Sequence, residues 1–369
     1  MRAARKSANR SGSGRTQAAE GQTTGSQTTG SQTTESQTTG SQTTDSQTSG
    51  GFLDWYRHMQ LGWDRFWFAS QQPHTLSLIR VLTGLMLCYN HVVWSTQLSA
   101  FLGPNAWISS NTSQAMAGDG FVWTFLWHLD SPAGLSLVHF ATLIVFVAFT
   151  LGWKTRPIAV LTWFLTISYC HRLQGVLFGF DQVLAMLTMY LMIGRSGDAY
   201  SVDAWLAKRR EDGGAGGLSN VSNNVASRLI QVHLCIIYLF GGLAKVRGET
   251  WWDGSAMWNA VANLEYQSLN VTFLGRAPWL LAMLALGVVF WETFYCALVW
   301  PRWSRPIALG AALLVHAGIG VALGMITFGL AMITLNLSFL APAFVERSVT
   351  RTGIRCSSIV SRFRSAGTR

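Results

Sequence analysis

Long apolar segments with almost no charged side chain dominate the sequence between residues 76 and 342. Only 12% of the 369 residues are charged, about half of the charged fraction of an ordinary soluble domain. A bilayer offers no water to backbone polar groups, so such segments cross it as helices of about 20 residues. The sequence therefore predicts an all-α fold, a polytopic transmembrane helical bundle. Its eight predicted spans lie at about 76–96, 136–152, 157–171, 179–194, 226–245, 279–300, 306–322 and 325–342.

The segments that flank this bundle differ from it in composition. Residues 21–50 are six SQTTG-like pentapeptides without an apolar side chain, and we predict that residues 1–51 form a disordered tail. Residues 52–75 mix aromatic and charged side chains at near-helical spacing, which predicts an interfacial amphipathic helix. The transmembrane domain then occupies residues 76–343, and a basic cytoplasmic tail follows at 344–369.

The distribution of Lys and Arg predicts the orientation of the bundle. Of the 27 basic residues, 22 share the side of both termini in the eight-span arrangement, and Arg80 lies within the first span. Only four fall on the other side: Arg172, Lys245, Arg247 and Arg276. Because cytoplasmic loops are enriched in Lys and Arg, we predict a multi-pass plasma (inner) membrane protein with both termini cytoplasmic. The basic residues are scattered, so the predicted partner is the lipid bilayer and not nucleic acid.

Lys245 is the most distinctive ionisable residue of the predicted spans. It ends the apolar run of the fifth span, where helical spacing places Gly241, Gly242 and Tyr238 on its face. Two glycines leave a slot in which a flat ring can approach the backbone closely. A lysine amine shielded from water there is a candidate base. The alternative is that Lys245 only extends its ammonium group to the membrane interface.

Two further charges lie inside predicted spans. Arg80 is about one turn inside the cytoplasmic end of the first span, and Glu292 about two turns inside that of the sixth. Side chains of opposite charge at similar depth favour each other in a bilayer. We predict a structural ion pair between Arg80 and Glu292 that fixes helix packing.

Three more residues are predicted near the extracytoplasmic ends of their spans. They are His171, Asp181 and His316, and they are candidates to converge with Lys245 in supporting roles. The alternative for a lone histidine in a span is hydrogen-bonded packing between helices. The five cysteines form no disulfide framework. No metal-binding, hydrolase or phosphate-binding motif is present, and we predict no metal.

Several segments carry a resemblance to a known family. The stretch YLFGGLAKVRGETWWDGSAM at 238–257 resembles the active-site lysine region of vitamin K-dependent gamma-carboxylases and of their bacterial relatives, the HTTM (horizontally transferred transmembrane domain) proteins. Four other segments follow in the order of that family. They are LSLIRVLTGLML at 76–87, DAYSVDAW at 198–205, FWETFYCALVWPRWSRP at 290–306 and VHAGIGVALGMITFGLAM at 315–332.

The resemblance implies an activity and roles for the residues. Lys245 takes the place of the base that deprotonates reduced vitamin K or a related quinol, which then reacts with dioxygen and ends as an epoxide. In the carboxylases this reaction drives the addition of carbon dioxide to a glutamate of a protein substrate. Gly241, Gly242, Tyr238 and Trp252 would contact the quinone. His316 matches the family in register, while either His171 or Asp181 takes the place of another family histidine.

Two function classes therefore follow from the sequence. The first is a membrane enzyme that activates a quinol toward dioxygen, with or without glutamate carboxylation. The second is a non-catalytic multi-pass membrane protein, either a transporter or a helper that binds quinone or lipid.

Overall fold

The computed structural model describes residues 45–352, except Asp119, Asp130 and residues 211–218. Most of the predicted disordered tail, and residues 353–369 of the predicted basic tail, lie outside the described residues. Regular structure in the described part is helical and includes no β-strand, which confirms the all-α prediction. The chain divides into two units, Met1–Trp55 and Tyr56–Arg369, and all the predicted spans lie in the second.

The described residues form fourteen α-helices. They are α1 Asp45–Phe68, α2 His74–Ser95, α3 Leu98–Leu102, α4 Ser110–Ala117, α5 Pro132–Leu151, α6 Thr155–Arg172, α7 Gly179–Ile193, α8 Val202–Arg209, α9 Val221–Val246, α10 Glu249–Trp252, α11 Ser255–Ala262, α12 Pro278–Leu298, α13 Arg305–Ala322 and α14 Ile326–Asn336.

Five helices, α2, α5, α9, α12 and α13, are long and apolar enough to cross a membrane. The apolar helices Gly179–Ile193 and Ile326–Phe339 are shorter, and α6 has 18 residues with Arg156 and Arg172 at its ends. Each predicted span coincides with one of these eight helices. The prediction of a polytopic transmembrane bundle is therefore confirmed, although three of the helices are shorter or less apolar than a full span requires.

The broadest helix contacts join α9 to α12, α2 to α5, α13 to α14 and α6 to α7. Glycines bring the first two pairs close, because Gly242 faces Thr293 and Gly84 faces Thr150. Apolar side chains fill the interior and also cover the outside, where Leu314 of α13 is 75% exposed. An apolar exterior suits a lipid environment, in which helix association depends on close packing more than on removal of apolar surface from water.

The first helix has different ends from those predicted. Its residues from Asp45, the last residue of the fifth pentapeptide, are already helical, and it ends at Phe68 and not near residue 75. Asn224 of α9 fixes that end, because its side-chain amide donates to the carbonyls of Phe66 and Trp67 at 2.7 and 2.9 Å. Several large apolar side chains of α1 are exposed, and Trp63, for example, is 63% exposed. The location of α1 at the membrane surface stays a prediction.

Arg80 is completely buried in α2, yet it has no carboxylate partner at hydrogen-bond distance among the described residues. Its guanidinium donates to the carbonyl oxygens of Ser196 and Tyr200 at 2.8 and 2.6 Å, in the segment between α7 and α8. Glu292 pairs with Lys245 instead. The predicted ion pair between Arg80 and Glu292 is therefore wrong, because two backbone carbonyls accept from the terminal nitrogens of Arg80 while Lys245 holds Glu292.

Candidate functional site

Lys245 and Glu292 form an ion pair between α9 and α12, with 2.6 Å between Nζ and Oε2. The two helices are antiparallel, because Gly242 faces Thr293 while Arg228, toward the other end of α9, faces Trp300. At 1.5 Å per residue, Glu292 lies roughly 21 Å from the start of α12 and roughly 9 Å from its end. The lysine therefore points to a carboxylate within the length of the bundle and does not simply extend to its end.

The ion pair is shielded but not closed off. The side chain of Lys245 is 24% exposed and that of Glu292 is 11% exposed. The Lys245 ammonium also lies 5.2 Å from the centre of the Trp251 ring, a distance at which a cation is attracted to an indole face. Sequence reasoning did not single out Trp251, since the many tryptophans of this chain all look like membrane-interface residues. About a quarter of the Lys245 side chain is therefore accessible from outside the helix pair.

A buried chain of neutral polar groups begins beside the ion pair. The hydroxyl of Tyr238 lies 2.8 Å from Nε2 of His316 and accepts a hydrogen bond from the Asn336 amide at 2.9 Å. The Asn336 oxygen accepts from the Tyr295 hydroxyl at 2.6 Å. These four side chains come from α9, α12, α13 and α14. The network therefore ties together the helices that surround the ion pair.

The network favours one tautomer of His316. The Asn336 amide donates to the Tyr238 oxygen and to the Met332 carbonyl, so the Tyr238 proton is left to donate to Nε2 of His316. The imidazole proton then resides on Nδ1, which is buried and has no hydrogen-bond partner within the described part of the chain. His316 is also close enough to Lys245 to interact with its charge. His316 thus lies near the charge of Lys245, and its supporting role stays a prediction, whereas the sequence did not single out Asn336 and Tyr295.

The two glycines next to Lys245 have different surroundings. A Cβ atom added at Gly242 would lie 2.6 Å from the backbone nitrogen of Thr293, so α12 fills the space there. A Cβ atom at Gly241 would lie 3.3 Å from the Glu292 carboxylate and 3.9 Å from the Lys245 amine. The slot predicted for a flat ring is therefore absent at Gly242, which serves close helix packing. Only Gly241 borders the charged pair.

Alanine substitutions at this pair of glycines should give unequal results. Gly242→Ala should destabilise the protein by about 1–3 kcal/mol, because α9 and α12 must separate to admit the methyl group. Gly241→Ala should cost less than about 1 kcal/mol, because only a carboxylate must shift and alanine favours the helix. Thermal unfolding in one detergent measures both variants. Equal destabilisation of the two would contradict the assignment of Gly242 to helix packing.

Among the described residues, no hydrogen bond joins Trp252 or the two remaining predicted residues to the ion pair. Trp252 is 56% exposed, and its indole donates to the Val246 carbonyl at 2.8 Å. His171 donates from Nδ1 to the Trp123 carbonyl at 2.8 Å. Asp181 accepts from the backbone nitrogen of Phe178 at 3.0 Å and caps the start of α7. Neither His171 nor Asp181 hydrogen-bonds to Lys245, so these two do not join it as expected.

Comparison with known proteins places these residues in a shared domain. A family model for the HTTM domain matches residues 68–344, a range that contains the ion pair and the whole polar network. The uncharacterized protein YitO of Bacillus subtilis (strain 168) is 23% identical over 227 residues, which cover 60% of this chain and 71% of YitO. No solved structure matches the chain.

Proposed function

Because the chain belongs to the HTTM family, we propose that it is an integral-membrane enzyme similar to the vitamin K-dependent gamma-carboxylases. In this proposal the pair of Lys245 and Glu292 takes a proton from a hydroxyl group of a reduced quinone. The observation that carries the proposal is a partly exposed lysine with a carboxylate 2.6 Å away, inside helices that are otherwise apolar. Ionisable groups at such places are costly and commonly functional.

The pair, and not the lysine alone, is the proposed base. A lysine held by a carboxylate has an ammonium group and cannot accept a proton in that state. The 2.6 Å hydrogen bond between the two side chains provides a path along which one proton can pass from the amine to the carboxylate. When the proton moves to the Glu292 carboxylate, the neutral Lys245 amine is free to accept the proton of the quinol hydroxyl.

The surroundings of Lys245 suit a flat ring that arrives from the lipid. Trp251 offers an indole face 5.2 Å from the amine, and Trp252, the next residue in the chain, is exposed. Gly241 borders the pair without a side chain that would block the approach. A quinol bound there would supply the reactive carbon centre, which with dioxygen yields the quinone epoxide and water. Carbon dioxide and a protein glutamate are further substrates if the carboxylation half is also present.

The buried network has a supporting role in the proposal. Tyr238, Asn336 and Tyr295 hold His316 in one orientation next to the charged pair. The helices α10 and α11 pack along α12 beyond the end of α9. With both termini in the cytoplasm, these two short helices cover the pair on the extracytoplasmic side, and the quinol reaches it sideways from the membrane.

The direct test supplies reduced menaquinone or vitamin K and dioxygen to the purified full chain and measures the epoxide by mass spectrometry. Lys245→Ala and Glu292→Gln should each lower the rate of epoxide formation by about 100-fold or more, because a general base typically contributes a rate increase of that size. Lys208→Ala, which removes a lysine of α8, should leave the rate unchanged. Equal yields from wild type and Lys245→Ala would remove the lysine from the mechanism.

A second candidate function rests on the same ion pair. Charged pairs inside helices also mark ion pathways in membrane transporters. If the wild-type protein binds the quinol tightly but forms no epoxide, a transporter or a quinone-binding helper is the better interpretation. Incorporation of labelled carbon dioxide into a glutamate peptide is a separate measurement that decides the carboxylation half.

A further inference from the structure

A cavity of about 460 Å³ is lined by residues other than Lys245 and Glu292. Its walls come from the end of α2, the segment 101–107, the segment 173–181, the loop after α11 and the start of α14. Half of its fourteen lining residues are aromatic. A volume of this size is within the range of ordinary small-molecule sites.

Asp181 carries the only formal charge of the cavity lining, which contains no Lys, Arg or His. The carboxylate is fixed in place, because it accepts hydrogen bonds from the backbone of Phe178 and from the side chain of Asn90. Among the described residues it belongs to no ion pair. The cavity therefore presents a rigid negative charge without a positive partner.

Aromatic rings form connected walls around this charge. Trp94, Phe101 and Trp107 contact one another in sequence, with ring centres 6.4 and 4.9 Å apart. The ring of Trp94 also stacks on the ring of Tyr169, and this contact holds the Trp94 side chain in place. Trp107 is 69% exposed and stands at the mouth. The negatively polarised faces of such rings attract cations that carry an apolar surface.

The opposite wall is held by contacts between distant loops. Ser268, two residues after Tyr266, donates from its backbone and side chain to the carbonyls of Ala322 and Val321. Gly324, in the turn between α13 and α14, has a φ of +69° and lies against Ser268. A residue with a side chain is strained in that backbone conformation. Tyr266 is thus kept at the cavity by a turn that requires glycine.

From these features we propose that this cavity binds a quaternary ammonium group, with its methyl groups against the aromatic walls and its charge balanced by Asp181. A metal ion is a poorer match, since no cluster of three metal-ligating side chains occurs among the described residues. A neutral apolar ligand would leave the Asp181 charge without a partner. The ligand is either a free compound such as choline or the headgroup of a choline lipid.

The proposal does not depend on the quinol reaction. Phe328 lines this cavity and also packs edge-on against His316, with ring centres 5.9 Å apart, so it separates the cavity from the polar network at Lys245. Binding at Asp181 and catalysis at Lys245 are therefore measured on different variants.

Isothermal titration of the full chain with choline, in nanodiscs of phosphatidylglycerol, tests the proposal. Choline should bind saturably, and its neutral analogue 3,3-dimethyl-1-butanol should bind about tenfold more weakly or worse, because it has the same shape without the charge. Asp181→Asn keeps an oxygen for capping α7 and should lower choline affinity about tenfold. Trp107→Leu should lower it several-fold, because an aromatic face is replaced by an aliphatic side chain.

Asp253→Asn is the matched control. Asp253 also accepts a backbone hydrogen bond at a helix start, from Ser255, and the side-chain and backbone hydrogen bonds of Ser255 lower the pKa of Asp253. It does not line the cavity, so choline affinity should be unchanged. Equal affinity for choline and its neutral analogue, unchanged affinity in Asp181→Asn, or no saturable binding would each overturn the proposal.

The same titration in nanodiscs of phosphatidylcholine separates the two sources of the ligand. If the wild-type protein binds free choline more weakly in phosphatidylcholine nanodiscs than in phosphatidylglycerol nanodiscs, the choline lipid competes for the site. That result, absent from Asp181→Asn, assigns the site to a lipid headgroup. Equal affinity in both kinds of nanodisc assigns it to a free organic cation. Both results support an ammonium site.

Discussion

Glu292→Leu should destabilise the protein by about 3 kcal/mol, more than most single substitutions on the surface of the bundle. The substitution removes the partner of an ammonium group that is held among apolar helices, with only 24% of the Lys245 side chain exposed. An unpaired charge in such a place loses the solvation of water without gaining a counter-charge. Reversible unfolding of the purified protein in mixed detergent micelles measures the loss.

The double variant Lys245→Met with Glu292→Leu is the control for this prediction. It replaces both charges by apolar side chains of similar length, so it should recover most of the lost stability. The coupling between the two sites should then be favourable by about 2 kcal/mol or more in a double-mutant cycle. Two outcomes would contradict the prediction: a loss of less than about 0.5 kcal/mol in Glu292→Leu, or a loss in the double variant equal to the sum of the two single losses. Either would show that water screens the pair as it does on a protein surface.

The positions of the helices could be predicted from the sequence because hydrophobicity and span length are local properties. Every predicted span coincides with a helix, and only the ends differ by a few residues, as for α2, which begins at His74. The pairing of charges is not local. The depths of Arg80 and Glu292, counted from the ends of their spans, are similar and predicted that the two pair. In the structure α9 ends partway along α12, and Lys245 near that end therefore pairs with Glu292.

Other parts of the site carry no distinctive signal in the sequence. Tyr295 and Asn336 are neutral residues in apolar helices, and their hydrogen bonds to each other and to Tyr238 depend on how α9, α12 and α14 pack. The spacing of Gly241 and Gly242 places both near Lys245 but cannot tell which one faces α12. The sequence pattern and the family resemblance both pointed to the lysine, and only the helix packing revealed its carboxylate partner.

Arg80→Met should also have a large effect, again about 3 kcal/mol of lost stability, although Arg80 has no part in the proposed chemistry. The thioether side chain fills much of the same volume, so the loss isolates the polar contacts of the guanidinium. Ser77 still donates to the Ser196 carbonyl in the variant, and the cost falls mainly on the Tyr200 carbonyl, which loses its donor.

The backbone of Tyr200 makes that lost hydrogen bond more important. Its φ of +48° lies in the left-handed region, which is unfavourable for a residue with a bulky side chain. The bond from Arg80, at 2.6 Å, helps to hold this conformation, and Asp203 three residues later caps α6 by accepting from Lys154 and Thr155. Loss of Arg80 should therefore loosen the whole turn between α7 and α8.

Arg195→Met is the matched control in the same segment. Arg195 pairs with Asp198 at 2.8 Å, but its side chain is 43% exposed, so water replaces the lost contact. Its substitution should cost less than about 1 kcal/mol in the same unfolding measurement. Hydrogen exchange of residues 196–205 should rise in Arg80→Met and stay near the wild-type rate in Arg195→Met. Equal stability of the two variants would mean that the Arg80 contacts to the Ser196 and Tyr200 carbonyls do not hold this turn.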